Sequence, residues 1–138
     1  MDLNDPVDVL ARTIWGEARG ELYGGRVAIA NVVMNRAKNP GWWGKSAVEV
    51  CLKPQQFSCW NADDVNYPKL QSVTPTDPIF TESLVIASRA VLLMELEDVT
   101  MGSDHYHNLS VTPRWSMGRT PIIQIGQHRF YKLGLKGA

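Results

Sequence analysis

The chain has 138 residues, enough for one domain built around a single sizeable core. Its 14 basic and 14 acidic side chains cancel, which argues against nucleic acid or another polyanion as partner. The longest apolar run, Val27 to Met34, is broken by Asn31 and is too short to span a bilayer, so no membrane partner is expected either.

The first segment, Met1-Asp2-Leu3-Asn4-Asp5, lacks the basic-then-apolar pattern of a secretory leader. Asp5-Pro6 reads as a helix start, with Asp5 as cap and Pro6 in the first turn. A helix over Pro6–Arg19 places Val7, Leu10, Ala11, Ile14 and Ala18 on one face, with Trp15 at its edge. Glu17 follows Leu10 by seven residues and points nearly the same way. An acid on the border of a core-facing stripe is partly desolvated, and its pKa rises. Such an acid can give a proton to a leaving group. The alternative is a helix-end carboxylate paired with Arg19 or Arg12.

Glu21 to Gly25 reads as a short flexible link. The second helix is predicted over Arg26–Lys38, ending before Asn39-Pro40-Gly41. It is apolar almost all round, as central buried helices are. Asn31 and Asn35 share one face and are expected to brace a loop or line a site. Ser46, with Glu49 three residues on, caps a short helix over Ala47–Leu52. Asp63 to Pro78, with its three prolines, reads as a surface loop. A third long helix is predicted from Asp77-Pro78 or Thr81 to about Leu96, with Leu84, Ala87, Val91, Met94 and Leu92 facing inward.

Beyond Val99 the period changes. His105, His107 and Leu109 alternate with Asp104, Tyr106 and Asn108, and Ile122–Ile125 leads to His128, Phe130 and Tyr131. Two strands are predicted, paired as a hairpin around the Pro113-Trp115-Gly118 connection. The fold class is α+β: mostly helical, with a small antiparallel sheet near the C-terminus.

Several constellations could carry chemistry. Glu17 could act as proton donor in glycoside cleavage, with Glu21, Asp63, Asp64 or Asp104 as a second carboxylate. His105 and His107, two apart on a strand, could present imidazoles to zinc with His128 as the third ligand, giving an amidase or peptidase. The other possibility is that these histidines hydrogen-bond loops or substrate. Cys59 with a histidine could form a thiol hydrolase pair, but Cys51, eight residues away, makes a disulfide the favoured expectation in an oxidising compartment. Trp60, Tyr67, Tyr106, Trp115 and Tyr131 could stack on a sugar, with Gln56, Asn61 and Asn108 supplying amides.

The segment from Leu10 through Gly16-Glu17-Ala18-Arg19 to Glu21, and then Gly25 to Asn35-Arg36, closely resembles the spore-cortex-lytic (SleB-like) cell wall hydrolases. So do Gln56-Phe57-Ser58, Gly102 to Asn108, Pro113-Arg114-Trp115 and Gly126-Gln127-His128-Arg129-Phe130-Tyr131. The likeness runs in order through nearly the whole chain. It implies a lysozyme-like fold of the lytic-transglycosylase type, peptidoglycan glycan strands as substrate, and Glu17 as catalytic acid. It also implies cleavage between N-acetylmuramic acid and N-acetylglucosamine. One glutamate serves as acid and then base, the sugar's 6-hydroxyl attacks, and a 1,6-anhydro end results. No metal or cofactor is needed. A hydrolytic muramidase, or the zinc amidase of His105, His107 and His128, is the alternative. Gln56, Phe57, Ser58, Trp60, His105, Tyr106, Asn108, Trp115 and Tyr131 are the expected substrate-binding residues. A monomer is expected to act on the cell wall or in the periplasm. Without a leader or wall-binding domain, a stand-alone or phage-type role is expected, with synthesis in the cytoplasm and release during phage lysis.

Overall fold

The computed structural model describes residues 1–134. Helix α1 (Pro6–Ala18) begins as its sequence dictates: the Asp5 side chain accepts the Val7 N–H, and Pro6 fills the first turn. Val9, Leu10, Ala11, Ile14, Trp15 and Ala18 are buried. The helix packs against α2 (Tyr23–Lys38), α3 (Ala47–Leu52), α4 (Tyr67–Ser72) and α5 (Pro78–Ser88), so it is the central post of the helical layer. Gly16 faces the 3₁₀ turn Ser58–Trp60: a Cβ there would lie 2.7 Å from Cys59 Cβ and 2.8 Å from its Sγ. Only glycine lets that turn close on α1 beside Glu17.

Helix α2 is buried without a break from Gly25 to Val33, as its all-round apolar sequence predicts. It starts at Tyr23, earlier than expected, because Gly24 and Gly25 wind into its first turn instead of forming a link. Arg26 holds that turn: its Nε donates to Glu82 at 2.7 Å, and Nη1 reaches the Arg19 and Glu21 carbonyls. Asn31 and Asn35 brace the 97–103 segment. Asn31 donates to the Glu97 carbonyl and accepts from Val99 N–H; Asn35 donates to Asp98 and to the Ser103 carbonyl. Ser46 caps α3 by accepting from Glu49 N–H, and Glu49 in return accepts from Lys45 N–H.

Three further expectations about secondary structure are corrected. The stretch read as a loop from Asp63 to Pro78 contains α4, with Pro68 in its first turn; six residues are too few to show a period. The third long helix is shorter than expected. It ends as α-helix at Ser88, passes into a π-turn over Arg89–Leu93, and stops at Met94, whose φ is +53°. Its buried residues are Phe80, Ser83, Ile86, Ala87 and Ala90, while Leu92 and Met94 are exposed. The helix is apolar on several sides, so the pattern underdetermined its inner face, and the wider π-turn rotates everything after Ser88. The C-terminal sheet has three strands, not two: β1 (His105–Asn108), β2 (Ile123–Ile125) and β3 (His128–Tyr131), in the order β1-β3-β2. The tight hairpin joins β2 to β3 at Gly126-Gln127. The Pro113–Gly118 connection instead links β1 to β2, which are not neighbours.

The antiparallel register sorts the aromatic residues. Tyr106 opposes Phe130, and Asn108 opposes His128, so these four share one sheet face. That face packs on Ala28 and Val32 of α2. His105 opposes Tyr131, and His107 opposes Arg129, on the other face. The sheet is pinned to the helical layer by Glu21, whose Oε1 accepts the Gln127 N–H at 2.9 Å. Gly126, at φ +57°, makes room for this contact; a Cβ there would meet Glu21 Oε2 at 2.6 Å. The expected disulfide is absent: Cys51 and Cys59 are both buried free thiols.

Candidate active site

Glu17 stands on the last turn of α1, half-buried at the floor of a cleft of about 520 Å³. The Tyr106 hydroxyl donates to its Oε1 at 2.7 Å, bridging 89 residues of sequence. Burial pushes the Glu17 carboxyl above the usual carboxylate range. The Tyr106 hydroxyl and the Cys59 thiol pull it down, and the nearby Asp64 charge adds to the rise. Neither Arg12 nor Arg19 neutralises Glu17: Arg12 pairs with Asp8, and Arg19 donates to Asn66 and lies over Trp15. Tyr106 is itself packed between Phe57 and Phe130, with ring centroids 6.2 Å and 5.8 Å away, and burial raises its phenol well above the ordinary value.

The cleft walls come from both layers. Gln55, Gln56, Phe57 and Ser58 form one side; His105, Tyr106, His107 and Asn108 of β1 form the other, with Trp115 beyond them. Gly16, Arg36, Trp42, Asn66, Val111 and His128 complete the lining. Seven expected substrate-binding residues therefore border the cleft: Gln56, Phe57, Ser58, His105, Tyr106, Asn108 and Trp115. Two do not line it. Trp60 donates through Nε1 to Thr13 Oγ1 at 2.9 Å and packs on Tyr67. Tyr131 is buried behind the wall, its hydroxyl 2.9 Å from His107 Nε2. Both support the site from behind. Trp42, which as a tryptophan in loop-like sequence reads as either a core plug or a stacking platform for a sugar ring, lines the cleft; Arg36 and Asn66 are lining residues that sequence reasoning missed. Arg36 sits in the last turn of α2, where a basic residue reads only as a complement to the helix dipole.

No second carboxylate appears among the residues lining this cleft. Glu21 is engaged at the β2–β3 hairpin. Asp64 accepts from Asn66 N–H. Asp104 turns to the far side, where its oxygens take His105 Nδ1 at 2.8 Å and the Leu133 and Gly134 N–H groups. Burial pushes Asp104 up, and those hydrogen bonds outweigh it and hold the carboxyl below its usual value. A larger cleft of about 640 Å³, beside Lys38, Trp43 and Lys132, has this committed Asp104 as its only acid.

The metal alternative fails on register. His105 and His107 face one side of the sheet and His128 the other, so the three imidazoles do not converge. Each has its own surroundings: Asp104 for His105, the Asn108 carbonyl and Tyr131 for His107, and Glu21 at 3.1 Å for His128. Burial lowers the His128 pKa against the pull of Glu21. Among the described residues no group of three His, Cys, Asp or Glu side chains is placed to hold a metal ion. The thiol alternative fails too. Burial pushes Cys51 up to about 12 and Cys59 higher still, so neither supplies a thiolate.

Residues 20–131 match the model of the cell wall hydrolase family, and the chain belongs to that family. Glu17 lies just upstream of the matched span. Among curated relatives, a spore cortex-lytic enzyme of Halalkalibacterium halodurans is 32% identical over 129 residues, covering 92% of this chain and 34% of that protein. The spore cortex-lytic enzyme of Bacillus subtilis is 31% identical over 134 residues, covering 92% and 37%. The chain thus spans about a third of the length of these relatives. Two solved structures share the fold. The catalytic domain of the Bacillus cereus SleB protein aligns with a TM-score of 0.69 at 26% identity, covering 92% of this chain and 89% of that one. The catalytic domain of the germination-specific lytic transglycosylase SleB from Bacillus anthracis gives 0.69 and 26%, covering 92% and 93%. The α+β architecture expected from sequence is the architecture of these domains.

Proposed function

We propose that this chain cleaves peptidoglycan glycan strands between N-acetylmuramic acid and N-acetylglucosamine, as a lytic transglycosylase with Glu17 as acid and then base. The observation that carries this reading is a single carboxyl group, Glu17, desolvated at the floor of a cleft whose lining holds no other acid. Burial favours the protonated form of Glu17, which protonates the glycosidic oxygen as the bond to the muramic acid C1 breaks. The resulting carboxylate faces an oxocarbenium-like centre. It then takes the proton of the sugar's own 6-hydroxyl as that oxygen attacks C1, closing the 1,6-anhydro ring. Glu17 is protonated again at the end of the cycle. The Tyr106 hydroxyl holds one carboxylate oxygen throughout and stabilises the ionised stage.

A conventional glycosidase needs two carboxylates. An internal nucleophile needs only one, which is why the single acid favours a transglycosylase over a hydrolytic muramidase. The relatives' names support the same direction: spore cortex-lytic enzymes, and a germination-specific lytic transglycosylase. Mass spectrometry of products released from purified sacculi tests the reading. Anhydro-muramic ends are expected. Reducing muramic ends mean hydrolysis, and free stem peptides mean amidase action; either outcome overturns the proposed mechanism. Glu17→Gln is expected to keep the fold and lose release by at least 100-fold, on the order of the contribution of a positioned proton donor.

A further inference from the structure

Among the described residues, Arg36 is a buried cation with no carboxylate at ion-pairing distance. It is 5% exposed, and its guanidinium lies over Trp43, Trp42 and Phe57, with ring centroids 5.1, 5.7 and 5.7 Å away. Its Nε donates to the Asp104 carbonyl at 2.7 Å, and Nη1 reaches Gln56 Oε1 only at 3.5 Å. The other arginines buried in the fold have carboxylates: Arg12 has Asp8, and Arg26 has Glu82. Arg36 has no carboxylate within ion-pairing distance among the described residues. The Asp104 carboxylate, closest in sequence to its hydrogen bond, is turned away toward His105 and the Leu133 and Gly134 N–H groups.

The unused donors are not sealed in the core. Among the described residues, the sealed side-chain nitrogens and oxygens without a hydrogen bond are Trp15 Nε1 and His128 Nδ1. Arg36 Nη2 makes no hydrogen bond and is not among them, so it is not sealed, and Arg36 is one of the residues that line the cleft. His105 repeats the pattern. Asp104 holds its Nδ1, while Nε2 is unbonded and not sealed; His105 lines the same cleft, its ring centroid 6.0 Å from that of Trp43 and 5.0 Å from that of Trp115. Burying a cation without its counter-ion is costly, and a planar guanidinium with free N–H groups matches a carboxylate.

We infer that Arg36, with His105 beside it, forms a subsite for a carboxylate carried by the substrate. This rests on the reading of peptidoglycan as substrate, and it adds a charge requirement to the glycan specificity. Two sources supply the same chemistry: the lactyl carboxylate of a muramic acid that lacks a peptide, and a carboxylate of an attached peptide stem.

The test uses the Glu17→Gln protein, so that ligands are bound and not cut. Soluble glycan fragments, native or with their carboxyls converted to methylamides by carbodiimide, are titrated by calorimetry. At least tenfold weaker binding of the amidated fragments is expected, with that difference lost on adding Arg36→Gln and partly kept with Arg36→Lys. Equal binding of the two preparations, or no binding of either, overturns the inference, and this comparison needs no change at Arg36. Fragments stripped of stems place the carboxylate: discrimination that survives stripping assigns it to the lactyl group, and discrimination that vanishes assigns it to the stem. Product release by the unaltered protein is scored separately, so a failure of glycan cleavage strikes the catalytic reading without touching the binding result.

Discussion

Glu17 destabilises the fold whenever it is ionised. Its folded pKa is raised above the ordinary 4.5 by burial, so the native state holds the proton more tightly than the unfolded chain. Stability from this residue is complete below the unfolded value and is lost as pH climbs through the folded value. Glu17→Gln, which cannot ionise, is therefore expected to unfold at a higher temperature than the parent at pH 8 and at nearly the same temperature at pH 4. Thermal melts at the two pH values check this; an equal shift at both means that the carboxyl is not perturbed. Tyr106 acts with the opposite sign, since its hydroxyl favours the ionised form. Tyr106→Phe is expected to raise the Glu17 pKa further and to move the alkaline limb of the pH–rate profile upward, with a lower maximal rate. An unmoved limb would show that the 2.7 Å contact does not tune the acid. Glu17 was legible in the sequence because helical spacing set it on the edge of the core stripe. Arg36 was not, because its lack of a paired carboxylate among the described residues emerges only in the folded chain.

At the scale of elements, local signals reported local structure well. The Asp5 and Ser46 caps start α1 and α3 where the sequence places them, since a cap is decided within four residues. Strand pairing is decided by distant segments, and there the sequence misled: β1 and β2 both pair with β3, and the three-residue β2 was merged with β3. Asn31 shows how α2 holds the segment leading to β1, through one bond given to Glu97 and one taken from Val99. Asn31→Ala strips both and leaves backbone groups unpaired, at a cost of about 1–3 kcal/mol. Gly16→Ala forces a methyl group against Cys59 and should cost a similar ~1–3 kcal/mol. Its distinguishing effect is on activity, because the strain falls next to Glu17. Denaturant melts paired with product release separate the two variants: Asn31→Ala loses stability first, Gly16→Ala loses both together.

Across the whole molecule, the site joins a helical layer to a sheet that closes it. The order of motifs along the chain identified the family. Their assembly into one cleft depended on the Glu21–Gln127 clasp and on which sheet face each histidine took, and neither is visible in spacing. The zinc alternative illustrates this: three histidines in one short segment look like ligands until the register of β1 and β3 sends one to the other face. The cysteines belong to the same scale, since burial by surrounding elements decides their chemistry. Both thiols are expected to resist a thiol reagent in the native protein and to react, two per chain, on unfolding in denaturant. Unfolded protein that titrates none would mean that they are joined.

Strand β1 lies at the edge of its sheet, and all four of its residues border the cleft. An open strand edge is a template on which another chain can pair. A second molecule adding its own strand here would fill the groove proposed for the substrate, so self-association by this route and the proposed binding of glycan strands exclude each other. The edge is short, and the turn after Asn108 ends it, through bonds from Ser110 and Val111 back to that residue. The same four residues are long enough to wall a cleft and too few to hold a neighbouring copy in register.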